Sequence, residues 1–137
     1  MASVAVIGAG WYGCHISSML AADGHEVAVF ERNQKIFSEA SGNNQFRLHQ
    51  GLHYARSART RHQTRDGYHR FIERYPRFTR EVQRNLYVVP RCESLIDFDT
   101  YASIMLSSGI SIRPESIIYT DGLRPELLDG VVSCDER

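Results

Sequence analysis

The sequence predicts an α/β fold that begins with a βαβ unit, and three features near the N-terminus support it. Residues 3–7 form a short apolar run that ends at a glycine, as a buried parallel strand does. Residues 11–22 then place apolar side chains at helical spacing, and Gly24 follows as a helix stop signal. Residues 26–31 form a second β-rich run. The predicted order is therefore strand, glycine turn, helix, strand.

The rest of the chain is less regular. Residues 32–53 are polar and have no hydrophobic period, which predicts a long loop of the kind that usually carries function. Residues 57–75 return to helical spacing, with aromatic side chains on one side and His62 and His69 on the polar side. Shorter elements are predicted further on: strands at 86–89, 94–96, 117–119 and 131–133, and a helix at 101–106.

The composition argues against several classes of protein. The 137 residues suffice for one domain, and 16 basic residues balance 16 acidic ones, so the net positive charge typical of nucleic-acid binding is missing. No apolar stretch approaches the length of a membrane span, about 20 residues. Three cysteines at wide spacing fit neither a disulfide framework nor a zinc site, and no other metal motif occurs. We therefore expect a cytoplasmic protein without a metal.

The arginines are unevenly distributed. Between Arg47 and Arg84, ten arginines stand against three acidic residues. This stretch is interpreted either as a solvated helix face or as a patch that steers an anionic substrate. Nucleic-acid binding is disfavoured, because the aromatic residues of this stretch lie at core spacing on a helix.

The turn after the first strand carries the motif G-A-G-W-Y-G. Gly8 suits the tight turn out of the strand, and Gly10 lacks the Cβ atom that would keep a pyrophosphate away from the backbone. Gly13 allows the helix to pack closely on the sheet. Trp11 and Tyr12 open the helix, whose N-terminal N–H groups favour negative charge. The motif predicts a dinucleotide site that these five residues form.

An acidic residue follows the second strand at the spacing that this kind of site requires. Glu31 lies 18 residues beyond Gly13, close to the separation of about 20 expected for an acid that binds the adenosine ribose. Its charge would repel a 2′-phosphate, which disfavours NADP. Arg32 is the next residue, and its positive charge weakens that repulsion. We include Arg32 among the predicted cofactor-binding residues.

The dinucleotide is predicted to be FAD rather than NAD. An NAD-binding half would continue with a second crossover helix and a third apolar strand. Residues 32–56 contain no such strand and are polar instead. A loop that returns over the cofactor, as in flavoproteins, accounts for this better.

Residues 41–54, S-G-N-N-Q-F-R-L-H-Q-G-L-H-Y, resemble a second motif, that of the D-amino-acid-oxidase-like (DAO) superfamily of FAD-dependent oxidoreductases. The similarity is greatest to the branch with 2-hydroxyglutarate and glycerol-3-phosphate dehydrogenases, whose pattern is roughly S/T-x-x-N-x-x-x-x-H-x-G-x-x-Y. The matching residues are Ser41, Asn44, His49, Gly51 and Tyr54.

The resemblance implies positions for further cofactor contacts. It places Ser41, Asn43 and Asn44 along the FAD pyrophosphate and flavin, and His49 close to the isoalloxazine. His49 could instead be a loop histidine that bonds the backbone. His53 and Tyr54 could face a substrate, or they could be structural.

The resemblance also implies an incomplete Rossmann-like FAD-binding domain of the glutathione-reductase/DAO type. It would span residues 1–137, with a βαβ core at 3–31, a cofactor loop at 32–56 and helical and strand segments at 57–137. Family members are usually longer and add a substrate domain, which is absent from these residues, so the catalytic residues stay unassigned.

The implied function is that of an FAD-dependent oxidoreductase, or of its N-terminal fragment. It would remove hydride from a C–H bond beside an amine or hydroxyl of a small substrate. The alternatives are a non-catalytic nucleotide-binding fragment, one half of a split flavoenzyme that needs a second polypeptide, and, less favoured, an NAD-dependent enzyme.

Overall fold

The computed structural model describes residues 1–117 and 122–137 and divides the chain into two compact units. The N-terminal unit spans Met1–Phe46, and the C-terminal unit spans Arg47–Arg137. The predicted strand at 117–119 falls mostly outside the described residues. None of the helices in the described ranges is long and apolar enough to cross a membrane. The predicted single domain over 1–137 stays a prediction.

The N-terminal unit opens with the βαβ order that the sequence predicts. Strand β1 (Ser3–Ile7) leads through the glycine turn into helix α1 (Trp11–Ala22), and strand β2 (Glu26–Phe30) follows. The strands pair in parallel and in register from their first residues to their last. Gly24 adopts a φ of 84° just after the helix, as its role as a stop signal requires. The opening of the predicted fold is confirmed.

Helix α1 packs against the glycine turn with no room for a side chain at Gly13. A Cβ atom there would lie 1.9 Å from the carbonyl oxygen of Gly8 and 3.7 Å from a methyl group of Val6. Gly8 itself has a φ of 98°, which only glycine adopts without strain. The two glycines therefore set where the helix begins and how closely it approaches β1.

One face of the two-stranded sheet is exposed in the part of the chain that the structure describes. Val6 points toward α1, so the alternating residue Ile7 and its strand partner Phe30 point to the opposite face. Their side chains are 81% and 57% exposed. Because parallel sheets are normally covered on both faces, this apolar face has the character of a buried surface.

The C-terminal unit is an antiparallel sheet with helices. Its elements are α2 (Ala58–Arg74), β3 (Val82–Pro90), α3 (Phe98–Ser107), β4 (Arg113–Glu115) and β5 (Leu128–Glu136). The strand order is β3-β5-β4, so β5 lies in the centre and is buried along most of its length. A Cβ atom on Gly130 would lie 2.1 Å from the Phe98 ring, so this glycine lets α3 pack directly on β5.

Four of the six elements predicted here are confirmed: the strands at 86–89 and 131–133 and the helix at 101–106 are longer than predicted, and the helix at 57–75 is one residue shorter at each end. Helix α2 buries Tyr68 and leaves His62 and His69 exposed, as its hydrophobic period predicts. The predicted strand at 94–96 is wrong. The Ser94 hydroxyl donates to the carbonyl of Ile96 at 2.6 Å, and this local turn leads into helix α3.

Replacing Gly13 by alanine should destabilise the protein, because the new methyl group would overlap the Gly8 carbonyl oxygen. We expect a loss of about 1–3 kcal/mol, typical of overpacking, in urea unfolding followed by far-UV circular dichroism. Gly67→Ala is the matched control: it lies in α2 with nothing within 4 Å of an added Cβ. It should stabilise the protein by about 0.5–1 kcal/mol. Equal unfolding midpoints for the two variants would contradict the packing described.

Candidate functional site

The N-terminus of α1 lies beside the hydroxyl of Ser41. Gly10 is the N-cap residue and provides no side-chain hydrogen bond to the helix. The backbone N–H of Trp11 instead donates to the hydroxyl of Ser41 at 2.9 Å, and a Cβ on Gly10 would come within 3.1 Å of that oxygen. Because the first N–H groups of a helix lack internal partners, they attract oxygen acceptors, above all anionic ones.

The carboxylate of Glu31 is fixed beside this turn. One of its oxygens accepts a hydrogen bond from the N–H of Ala9 at 2.7 Å, and the other accepts from Asn33 at 2.9 Å. These two bonds, the Ala9 bond most of all, hold the pKa of Glu31 below its usual value. An ionised carboxylate keeps further lone pairs on both oxygens, which can accept hydroxyl groups of a ribose.

Arg32 forms an ion pair with Glu39. The two side chains meet at 2.8 Å and are both largely exposed. The hydrogen bond from Arg32 is the main reason that the pKa of Glu39 is lowered. The positive charge that would favour a 2′-phosphate is therefore already engaged by a carboxylate of the same loop.

Asn43 and Asn44, both predicted to contact the cofactor, stabilise the loop. The Asn43 amide donates to two loop carbonyls at 2.9 and 3.1 Å, and the Asn44 amide donates to two others at 3.0 and 3.2 Å. The side-chain oxygen of Asn44 also accepts from the N–H of Phe46 at 2.6 Å. Their direct contact with a cofactor stays a prediction, since these hydrogen bonds serve the shape of the loop.

The loop folds back on the glycine turn through a residue that sequence reasoning missed. The N–H of Phe37 donates to the carbonyl of Ala9 at 3.0 Å, and its ring lies 6.1 Å from that of Trp11. A Cβ on Gly42 would lie 1.8 Å from the Phe37 carbonyl oxygen, so this contact needs glycine. Tyr12, by contrast, is 80% exposed.

The residues of the N-terminal unit fit a dinucleotide. A helix end without a side chain at Gly10 suits a pyrophosphate, and an anchored, ionised Glu31 suits a ribose. All predicted cofactor residues except His49 lie in this unit.

His49 lies in the C-terminal unit, within a group of aromatic rings. Its Nδ1 accepts a hydrogen bond from the N–H of Gly51 at 3.1 Å, so its proton is on Nε2. The ring is half-buried, and burial is the main cause that lowers its pKa. The rings of His53 and Tyr54 lie 5.3 and 6.0 Å away. His49 is thus a neutral imidazole near neutral pH.

Beside His49 lies a polar network that the sequence did not reveal. Glu136 is completely buried and pairs with the guanidinium of Arg47 at 2.6 Å. The Tyr87 hydroxyl donates to the same carboxylate at 2.6 Å and lies 3.3 Å from Nε2 of His53. Arg47 stands within the second motif, but its partner lies 89 positions away and no periodicity links the two.

Comparison with known proteins agrees with the chemistry of the N-terminal unit. Residues 3–129 match the family model "DAO: FAD dependent oxidoreductase". The FAD-dependent monooxygenase FPY4 of Fusarium mangiferae is 48% identical over 135 residues, which are 98% of this chain and 36% of that protein. The FAD-dependent monooxygenase kojA of Aspergillus flavus is 38% identical over 92 residues, 67% of this chain and 22% of that protein.

A shorter similarity concerns a bifunctional enzyme. The tRNA 5-methylaminomethyl-2-thiouridine biosynthesis protein MnmC of Burkholderia cenocepacia is 55% identical over 38 residues, which are 28% of this chain and 6% of that protein. No solved structure matches the chain. The chain thus spans 36% or less of the length of each of these curated relatives.

The family match and the FPY4 relative confirm the prediction of an α/β FAD-binding fold, of FAD as the cofactor and of a resemblance to FAD-dependent oxidoreductases. The predicted contacts of individual residues with FAD remain predictions. The chain belongs to the DAO family of FAD-dependent oxidoreductases.

Proposed function

We propose that this chain is the FAD-binding part of an enzyme that removes hydride from a C–H bond beside an amine or hydroxyl of a small substrate. The observation that carries the FAD-binding part of the proposal is the anchored carboxylate of Glu31 beside the N-terminus of α1, where Gly10 has no side chain. When bound, FAD supplies the hydride acceptor. The residues of the chain bind and orient it.

The groups around the glycine turn would each contact a different part of the cofactor. The hydroxyl of Ser41, which accepts a hydrogen bond from the N–H of Trp11, would donate its own proton to a phosphate oxygen at the helix end. Glu31 would accept hydrogen bonds from the ribose hydroxyls, and its negative charge would repel the 2′-phosphate of NADP. The Arg32–Glu39 ion pair supports this selectivity, because it removes a cation that could have bound that phosphate.

A second candidate reaction comes from the names of the relatives. FPY4 and kojA are FAD-dependent monooxygenases by name, so oxygen insertion is an alternative for this chain. The two reactions differ in their need for oxygen. A substrate that bleaches the flavin without oxygen or added reductant supports hydride removal, whereas a need for both supports oxygen insertion.

A third possibility is that the chain binds nucleotide without turnover, or that it forms a complete site only with a second polypeptide. The 36% coverage of the FPY4 relative supports this alternative. FAD binding without substrate oxidation would favour it. Activity that appears on addition of the remaining part of such an enzyme would favour the split form. We propose a cytoplasmic location for either form, since all three cysteines are free thiols.

Replacing Gly10 by valine should abolish FAD binding. A bulky side chain at the helix end would occupy the position proposed for the pyrophosphate and would press on the Ser41 hydroxyl. Fluorescence titration with FAD measures the affinity, and circular dichroism shows whether the variant is folded. Gly67→Val, at an open position of α2, is the control. Wild-type affinity in a folded Gly10→Val variant would exclude the proposed docking mode.

Replacing Glu31 by glutamine should weaken FAD binding by about tenfold or more, because a hydrogen bond to a charged group contributes about 1.5–3 kcal/mol. The Glu39→Gln variant changes a neighbouring acid whose carboxylate accepts hydrogen bonds from Arg32 and Asn33. Its FAD affinity should match that of the wild type. Isothermal titration of both variants makes the comparison, and an equal loss in both would show that general loop charge matters instead.

The purified protein should be yellow, and acid precipitation should release the flavin into the supernatant. Non-covalent binding is expected, because the lone pair of His49 on Nδ1 is engaged by the N–H of Gly51 and the other ring nitrogen, Nε2, carries the proton. Absorption spectra of pellet and supernatant decide this. Flavin that stays in the pellet of the wild type but not of His49→Gln would identify His49 as a covalent attachment site.

A further inference from the structure

A series of aromatic rings at the end of α2 leads to an exposed phenylalanine. The rings of Phe71 and Tyr75 lie 5.2 Å apart, and the ring of Phe78 lies 6.0 Å from that of Tyr75. The first two side chains are half-buried, whereas Phe78 is 75% exposed. An apolar ring of this size is rarely left in water without a use, although a single exposed ring is not a site by itself.

A short turn fixes the position of this phenylalanine. Residues Pro76–Phe78 form one turn of 3₁₀ helix, and Pro76 stands at its first position, where the fixed φ of proline suits a helix. The N–H of Phe78 donates to the carbonyl of Tyr75 at 3.0 Å. The hydroxyl of Thr79 donates to the carbonyl of Pro76 at 3.2 Å. The backbone is thus ordered before a partner binds, which lowers the entropic cost of docking.

Positive charges flank the exposed ring on both sides in the chain. Between Arg70 and Glu81, four arginines stand against two glutamates. These arginines are all exposed: Arg70, Arg74, Arg77 and Arg80. Within the described ranges, Arg70, Arg77 and Arg80 form no ion pair, and Asp66, which lies near Arg70, is paired with Arg65. Their charges can therefore act on an anionic partner.

Another exposed apolar residue of the same unit has the opposite surroundings. Leu95 is 77% exposed, and all charged residues between positions 93 and 99 are acidic, namely Glu93, Asp97 and Asp99. Exposure of an apolar side chain is therefore common to both places. The surface at Phe78 differs because it combines that exposure with positive charge.

We propose that residues 70–80 form a docking surface for a lipid bilayer that carries anionic headgroups. Phe78 enters the boundary between headgroups and acyl chains, and the arginines bind the lipid phosphates and carboxylates. A guanidinium suits these groups because it donates two parallel hydrogen bonds. The aliphatic stems of the arginines can lie along the apolar layer while their charged ends stay among the headgroups.

A bilayer matches this surface better than nucleic acid does. Binding of single-stranded nucleic acid without sequence preference uses successive exposed rings on which bases stack, along a basic groove. Here Phe71 and Tyr75 are half-buried, so the series offers one exposed ring. The chain as a whole has no net charge, and a long polyanion would also meet its acidic residues. A local group of cations around one apolar ring is suited to a bilayer surface.

Sedimentation with lipid vesicles tests the proposal without FAD or substrate. After aggregates have been removed by centrifugation, the chain should pellet with vesicles of phosphatidylcholine and phosphatidylserine at about 0.1 M salt. It should stay in solution with vesicles of phosphatidylcholine alone. Phe78→Ser should weaken the binding about tenfold or more, since its apolar area no longer leaves water. Arg77→Gln should weaken it about fivefold, as expected for one basic residue near an anionic surface.

Two variants serve as matched controls. Leu95→Ser removes an apolar side chain of nearly the same exposure from acidic surroundings, and Ile7→Ser removes one that is 81% exposed in the N-terminal unit. Both should bind vesicles as the wild type does, and circular dichroism shows whether each variant is folded. An equal loss in Leu95→Ser and Phe78→Ser overturns the proposal. So does a wild type that binds a single-stranded oligonucleotide but neither kind of vesicle, which would assign the surface to nucleic acid.

Discussion

The close approach of α1 to the glycine turn is the constraint on which the N-terminal unit depends. At Gly13, only a hydrogen atom fits between the helix backbone and the carbonyl of Gly8. Helix α1 begins at Trp11, so its first turn lies beside Gly10, which has no side chain. The same turn also aims the N–H of Ala9 at the carboxylate of Glu31. The helix end beside Gly10 and the anchored acid thus have one geometric cause.

Sequence reasoning succeeded where all the contributing residues are close together in the chain. The order of strand, turn and helix up to Glu31 could be predicted, because it follows from the local hydrophobic period and from the backbone conformations that glycine allows. The spacing between Gly13 and Glu31 also predicted a role for this acid, but the two backbone groups that bind its carboxylate could not be predicted. Its neighbours Ala9 and Asn33 use only their N–H groups, which every residue except proline possesses.

Long-range polar contacts could not be predicted. Arg47 and Glu136 are in contact because β5 and the segment before α2 pack together in the fold. Neither residue belongs to a periodic pattern in the sequence. The predicted strand at 94–96 failed for the opposite reason. There the side chain of Ser94 formed a local turn that outweighed a composition suited to a strand. In both cases the local structure depends on side-chain hydrogen bonds, which average residue propensities do not describe.

The exposed apolar face around Ile7 and Phe30 also affects the solubility of the purified chain. Within the described ranges the two parallel strands pair with each other alone, so their outer edges carry unpaired backbone groups, and an apolar surface lies between those edges. Together these features favour self-association by edge pairing and hydrophobic contact. The chain on its own is therefore prone to aggregate as its concentration rises, and mild detergent or a fused solubility partner should be part of its preparation.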